Sequence, residues 1–359
     1  MSASPSRRIF LDHAATTPVL PQARAAIERG FDAWANPSSP HAEGRAARAL
    51  LEEARVTLAS ALDWRHDVIF TSGASESVEM AAARARIERR VHGATEHPIV
   101  SHAMGPGSVE LAVDSNGLID EAALDAALAE GTALVAIQAV NNETGILQPI
   151  NALVARIRAA GSLSLVDCAQ SASKAALPDA DFIALSAHKL GGPPGVGALL
   201  VRDLATMDPV GGQEKGYRRG TQDMPGALAF AAALAATPYD MDRIAALRVQ
   251  LDDGVREVGG VVIGEDAPRL ATIGAVALPG VSSASLLVQF DLAGIAVSAG
   301  SACSSGKMKG SAVLAAMGVR ADIAASFLRI SFGPATTATE VDIFLDQWRR
   351  IAARLPRAA

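Results

Sequence analysis

The chain has 359 residues, half of them hydrophobic and 19% charged, with 32 Lys+Arg against 38 Asp+Glu for a net charge of −6. That length suggests two domains and supplies ample apolar material for a core. The charge balance excludes a broad nucleic-acid footprint, which needs a strongly basic face, and no apolar run approaches the ~20 residues that cross a bilayer.

Residues 43–62 carry helical periodicity and lead into the short apolar run Val68-Ile69-Phe70. Thr71-Ser72-Gly73 then opens a helical stretch expected to continue to Arg90. The alternation recurs with a helix near 120–130, an apolar run at 133–140, a helix near 150–160 and runs at 163–166, 182–185 and 197–201. Short apolar runs separated by helical patterns predict an α/β fold with a mostly parallel sheet covered by helices on both faces. The longest apolar run, 227–236, is Ala-rich and suits a buried helix. Beyond it the pattern changes: a helix near 240–256, runs at 260–263 and 271–278, a helix near 283–292, a run near 326–331 and a last helix from about 339. This predicts a smaller α+β domain. We place the boundary near Thr237-Pro238, giving a large cofactor-binding domain over 14–237 and a small domain formed by 1–13 and 238–359.

The N-terminal segment has only three apolar residues between Arg8 and Asp12, so it reads as no signal peptide. Two cysteines, Cys168 and Cys303, make no disulfide framework, and the expected compartment is a reducing cytoplasm. Five lysines stand among the basic residues: Lys174, Lys189, Lys215, Lys307 and Lys309. Arg carries the ordinary surface charge here. A retained lysine can therefore serve as a neutral amine nucleophile, which Arg cannot.

In a doubly wound sheet, ligands sit at the carboxyl ends of the strands, so the residues that follow the apolar runs carry the argument. Thr71-Ser72-Gly73-Ala74-Ser75-Glu76 follows the first and suits either a helix cap or a phosphate at a helix N-terminus. Asn141-Asn142-Glu143-Thr144-Gly145, Asp167-Cys168-Ala169-Gln170-Ser171 and Ser186-Ala187-His188-Lys189 follow the next three. A lysine with a carboxylate at a neighbouring strand end fits a pyridoxal phosphate site. The amine forms a Schiff base, and the carboxylate keeps the pyridine nitrogen protonated so that the ring draws in electrons. In the smaller domain, Cys303 stands in the Gly/Ser run from Ser298 to Gly306, where a substrate can reach it. Cys168 follows a core strand and reads as a small buried hydrophobe.

The segments Leu11-Asp12-His13-Ala14-Ala15-Thr16-Thr17-Pro18, Thr71-Ser72-Gly73-Ala74-Ser75-Glu76-Ser77, Glu96-His97, Val140-Asn141-Asn142-Glu143, Val166-Asp167, Gln170-Ser171, Ser186-Ala187-His188-Lys189, Arg218-Arg219-Gly220-Thr221, Ser301-Ala302-Cys303 and Arg329-Ile330-Ser331-Phe332-Gly333 stand in order along nearly the whole chain. Together they resemble the cysteine desulfurases, pyridoxal phosphate enzymes of the class V aminotransferase group with the type I transferase fold. The short Cys-bearing segment is similar to that of the housekeeping and nitrogen-fixation branch.

The resemblance implies that Lys189 holds the cofactor and shuttles protons, Asp167 pairs with the pyridine nitrogen, His97 stacks on the ring and Gln170 meets the phenolic oxygen. It implies that Ala74, Ser75, Ser186 and His188 hold the phosphate, with Thr221 reaching in from the partner subunit of a homodimer. Asn142 and Arg329 would fix the carboxylate of L-cysteine, Arg329 through a fork that Lys cannot copy. Cys303 would take the sulfur as a persulfide and release L-alanine. A sulfur-acceptor or iron–sulfur scaffold protein is the implied partner; no metal, nucleic acid or membrane is.

Three features depart from the family pattern. Ser75 stands where Thr is commoner. Lys307-Met308-Lys309 makes the Cys segment more basic, which either favours the Cys303 thiolate, meets an acidic partner or leaves two solvated charges. The chain ends at Ala359, where housekeeping members continue into a tail that docks the scaffold, so that partner stays open. Three other readings also stay open: a selenocysteine lyase, an aminotransferase of the same fold, and a non-catalytic homologue that binds or regulates a partner. An aminotransferase has no use for Cys303, and a decayed homologue no reason to keep Lys189, Asp167, His97, Arg329 and Cys303 together.

Overall fold

The apolar runs pair into one large sheet in the computed structural model, which describes residues 8–236, 238–300 and 310–355. In chain order the first elements are β1 (Ile9–Phe10), α1 (Pro21–Asp32), α2 (Ala42–Ala61), β2 (Asp67–Thr71), α3 (Ala74–Arg84), β3 (Arg89–Gly93), α4 (Pro98–Met104) and β4 (Val109–Leu111). Then come α5 (Glu121–Ala129), β5 (Ala133–Gln138), α6 (Ile150–Ala159), β6 (Leu163–Asp167), β7 (Phe182–Ser186), β8 (Gly197–Val201) and α7 (Met224–Ala235). The last third holds α8 (Met241–Arg256), β9 (Val261–Ile263), β10 (Ile273–Ala277), α9 (Ser283–Leu292), β11 (Ile295–Ala296), α10 (Ala312–Ala316), α11 (Ala321–Ala324), β12 (Phe327–Ser331) and α12 (Ala338–Ala352).

The large sheet has the order β2-β8-β7-β6-β5-β3-β4. Strands β4, β3, β5, β6 and β7 run parallel, with register such as Ile137↔Val166↔Ile183, while β8 is antiparallel to both β7 and β2. Every residue of β5, β7 and β8 is buried, as a sheet covered on both faces requires. Leu51 and Leu58 of α2 and Phe230 and Leu234 of α7 pack on one face; Val78 and Ala81 of α3 and Val100 of α4 pack on the other. Each such fully buried aliphatic or aromatic side chain contributes about 2 kcal/mol of transfer free energy.

The helix expected to reach Arg90 stops at Arg84. Ala85 turns extended (φ −57°, ψ 130°), and 89–93 become β3. Arg89 and Arg90 hide this strand in the sequence because their charge breaks its apolar run. In the fold their guanidinium groups turn back onto backbone carbonyls, Arg90 Nη2 donating to Ala82 O at 2.8 Å and Arg89 to Ala127 O.

The last third forms an antiparallel sheet, β12-β10-β9, under α8, α9 and α12. Phe290 and Phe344 stack there at 4.7 Å beside Trp348. The start of the chain joins this layer: β1 lies parallel to β11, and Asp12 bridges to Ser331. Residues from opposite ends of the sequence thereby meet over the carboxyl edge of the large sheet.

Candidate active site

The carboxyl ends of β2, β3, β5, β6 and β7 lie on one edge, and each is followed by residues singled out above. Gly73 precedes α3 and offers no side-chain cap, so the first-turn N–H groups around Ala74 and Ser75 have no competing partner from the cap residue. His97 caps α4, its Nδ1 accepting from Ile99 N at 3.3 Å. Asp167 ends β6, and its Oδ1 accepts from Ala169 N at 2.8 Å, which fixes the carboxylate at the strand end. Ser186 ends β7 buried, and His188 and Lys189 follow in a single 3-10 turn.

The charges on this edge act on one another. Burial, with the Lys189 cation nearby, holds His97 below the ordinary imidazole range against the opposing pull of Asp167. Burial and Lys189 push His188 down in the same way. The imidazoles are therefore neutral at pH 7, which suits stacking and hydrogen bonding. Glu96 is buried beside Asp167, and burial lifts its carboxyl well above the usual range; it accepts from Gln138 N at 2.9 Å.

Arg329 comes from β12, in the smaller layer, and is buried. Its Nη1 donates to Asn142 O at 3.0 Å and its Nη2 to Asp12 Oδ1 at 2.7 Å, while Nε has no partner among the described residues. A guanidinium carries five N–H donors, so the fork is held in place with donors to spare for a carboxylate. The turn that supplies Asn142 is rigid: Asn141 Oδ1 accepts from Glu143 N, Thr144 N and Thr144 Oγ1 at 2.9–3.0 Å.

Thr221 is exposed in the loop before α7. Its loop is nevertheless anchored beside α3. Arg218 Nε donates to Glu76 Oε1 at 3.0 Å, and buried Glu214 receives Arg55 at 2.8 Å, Phe70 N at 2.8 Å and Gln222 Nε2 at 2.9 Å. Cys303 lies outside the described residues, as do Lys307 and Lys309. Cys168 is fully buried in the core, and burial pushes its thiol up to about 12.

These residues fit pyridoxal phosphate. Gln170 is buried with Nε2 donating to Ala14 O at 2.9 Å, yet its Oε1 has no partner among the described residues, an unmet polar atom that a bound group would complete. The uncapped α3 terminus, Ser186 and His188 suit a phosphate; Asp167 suits a ring nitrogen; Lys189 suits an aldehyde. Sequence reasoning gave no role to Lys174, which is buried and donates to Lys189 O at 3.3 Å while lying 5.0 Å from the Tyr239 ring centre. Burial and Lys189 lower it to about 7. Its signal was the scarcity of lysine. Asp12 and Glu143 stood inside quoted motifs, and only the fold reveals what they touch.

Residues 9–344 match the family model described as aminotransferase class-V. A cysteine desulfurase of Gluconacetobacter diazotrophicus is 34% identical over 97% of this chain and 94% of its own length, and one of Bradyrhizobium diazoefficiens is 37% identical over 93% and 92%. A solved NifS-like protein from Rickettsia africae superposes with a TM-score of 0.88 at 27% identity, covering 96% of this chain and 99% of that one.

Proposed function

The chain belongs to the class V aminotransferase family, among its cysteine desulfurases, and on that premise we propose how its own residues divide the work. It is a pyridoxal-phosphate enzyme that takes sulfur from L-cysteine and releases L-alanine. The observation that carries the division of roles is the meeting of Lys189, Asp167 and His97 on one sheet edge, where the Lys189 and Asp167 charges pull on the His97 ring in opposite directions.

Bound at that edge, the cofactor supplies an electron sink that makes the carbon–sulfur bond of cysteine breakable. Lys189 Nζ takes the α-proton of the substrate and returns a proton after sulfur has left. Asp167 keeps a proton on the pyridine nitrogen, and His97 covers the ring. Gln170 faces the phenolic oxygen, and Ala74, Ser75, Ser186 and His188 bind the phosphate, joined by Thr221 from a partner subunit. Arg329, steadied by Asp12 and Asn142, receives the substrate carboxylate, so that it presents its sulfur in one orientation.

Cys303 attacks that sulfur as a thiolate. A sulfur–sulfur bond forms, the carbon–sulfur bond breaks, and its electron pair returns to carbon, where a proton completes alanine. Cys303 is left as a persulfide for an acceptor protein, an iron–sulfur scaffold being the partner of matching chemistry. The two-cysteine composition, too sparse for a disulfide framework, supports a reducing cytoplasm as its compartment; among the described residues no helix is long and apolar enough to cross a membrane. Large and small domains divide at the segment around 237.

The test is direct. Purified protein loaded with pyridoxal phosphate and given L-cysteine with a thiol reductant should yield alanine and sulfide in equal amounts. Pyruvate with ammonia, or a transaminated product without sulfide, would sink the desulfurase reading. Sedimentation should find a homodimer; full activity in a monomer would remove Thr221 from the partner's site.

A further inference from the structure

Lys174 is a buried amine that the reaction above does not use. It stands on the turn that follows β6, where its backbone N–H donates to Ser171 O at 2.9 Å. Its Nζ lies 5.0 Å from the centre of the Tyr239 ring and donates to Lys189 O at 3.3 Å. Thr17 Oγ1 donates to the same carbonyl at 3.3 Å and lies 3.5 Å from Tyr239 Oη. Thr17 N in turn donates to His188 O at 2.7 Å. The 3-10 turn that carries Lys189 is thus held from two sides: by Lys174 from the β6 turn, and by Thr17 from the segment that follows β1.

Burying an ammonium is costly unless an anion meets it, and the partners of this one are a carbonyl and a ring face. The titratable groups around it are Lys189, His13 and Tyr239, two bases and a phenol. Burial, with Lys189 nearby, lowers Lys174 to about 7. Methionine would fill the same space with no charge to bury. What the amine supplies instead is a positive charge beside Lys189. Repulsion between like charges is mutual, so what acts on Lys174 acts equally on the Lys189 amine. A lysine bonds an aldehyde only as the neutral amine, and a neighbouring cation is one means of securing that form.

We propose that Lys174 is a positioning residue for Lys189: it holds the turn that carries that amine and sets a second cation beside it. The proposal rests on the reading in which Lys189 holds the cofactor, and it adds what keeps that lysine reactive. The fold gives up stability here, by burying a charge without an anion, in return for a neutral amine at Lys189.

Lys174→Met and Tyr239→Phe are compared with wild type as cofactor-loaded full-length proteins, and the visible absorbance of the lysine-bound cofactor is followed against pH. With the neighbouring cation gone, the Lys189 nitrogen should give up its proton only at higher pH. The midpoint in Lys174→Met should therefore rise by about one pH unit, the usual scale of a charged neighbour's effect. Tyr239→Phe keeps the ring beside the ammonium and removes only the hydroxyl, so its midpoint should match wild type. Thermal unfolding supplies a second readout. Lys174→Met should melt no lower than wild type, because methionine fills the volume of the stem and leaves no charge to bury. A lysine that merely supported the fold would do the reverse, lowering the melting temperature and leaving the midpoint in place. An unmoved or lowered midpoint in Lys174→Met, an equal rise in Tyr239→Phe, or a clearly lower melting temperature in Lys174→Met each overturns the proposal. Failure of the underlying reading looks different: the pH-dependent band would then survive in Lys189→Ala whatever stands at 174.

Discussion

Arg329 on β12 and Asp12, just beyond β1, form an ion pair of 2.7 Å between residues 317 positions apart in sequence. Arg329 is almost wholly buried, so its charge needs this partner before any substrate arrives. Asp12→Asn keeps the shape and removes the charge. We expect it to cost about 2 kcal/mol of stability, the range of a hydrogen bond to a charged group, and to raise KM for cysteine about tenfold. The cofactor band should be unchanged, because the charge removed serves Arg329 while the band reports on Lys189. A normal KM with normal melting temperature would show that Asn142 alone holds the fork.

Under the proposed roles, Lys189 and Asp167 variants should separate cofactor capture from cofactor chemistry. Lys189→Ala should abolish both the visible absorbance of the lysine-bound cofactor and the activity, and borohydride should no longer fix the cofactor to the chain. Lys174 provides a demanding control, since its amine lies against the carbonyl of Lys189; borohydride fixation at Lys174 in the variant would reassign the anchor. Asp167→Ala should bind the cofactor with modest loss yet turn over orders of magnitude more slowly, since the ring loses its proton partner and with it the electron sink.

The strand-end residues were legible because parallel strands deliver their carboxyl ends to one edge, so position along the sequence alone predicts proximity for residues 74–75, 142, 167–170 and 186–189, whereas His97 follows the hidden β3 and was legible only through the family motif. The register of the sheet supports that logic, with Gln138 beside Asp167 and Asp167 beside Ala184. Contacts made across the two layers were not legible. Asp12 meets Arg329, and Glu143 meets Ser311, only because β1 and β12 fold back over the edge, and no local pattern encodes that return. At the level of elements, β3 was hidden by Arg89 and Arg90. The short α4 and β4 offer too few residues for a period to show.

His13 gives the fold a pH dependence of definite sign. Its ring is buried against Gly333 and Phe10, and burial with the nearby Lys174 cation lowers its pKa from 6.5 to about 4. Between those values the unfolded chain binds a proton that the folded chain refuses. The stability present above pH 6.5 is therefore lost as the pH falls toward 4, by about 3 kcal/mol for this one group. His13→Asn should flatten the denaturation free energy measured across that window by roughly this amount relative to wild type. Parallel curves for the two proteins would show that the ring is protonated in the fold.

The two cysteines give the sharpest test, because the proposed mechanism assigns them opposite outcomes. Cys168 is fully buried behind β6, and a thiol pushed up to about 12 has almost no thiolate at pH 7, so it can neither attack sulfur nor meet a substrate. Cys168→Ala should leave turnover nearly intact and cost only the stability of a small buried hydrophobe, about 1 kcal/mol. In the proposed mechanism Cys303 acts only after cysteine has bound and its α-proton has been removed. Cys303→Ala should accordingly keep the cofactor colour and still change spectrum on adding cysteine, since Lys189, Asp167 and Arg329 are untouched. It should nevertheless release alanine slower by orders of magnitude, as deletion of a covalent nucleophile requires. After a short pulse of cysteine, mass spectrometry of wild type should find extra sulfur on the peptide containing Cys303 and none on that containing Cys168. Sulfur on Cys168 would require a thiolate where the core admits none. Near-normal alanine release from Cys303→Ala would instead mean that sulfur leaves without a protein acceptor, and the weight would move to a lyase.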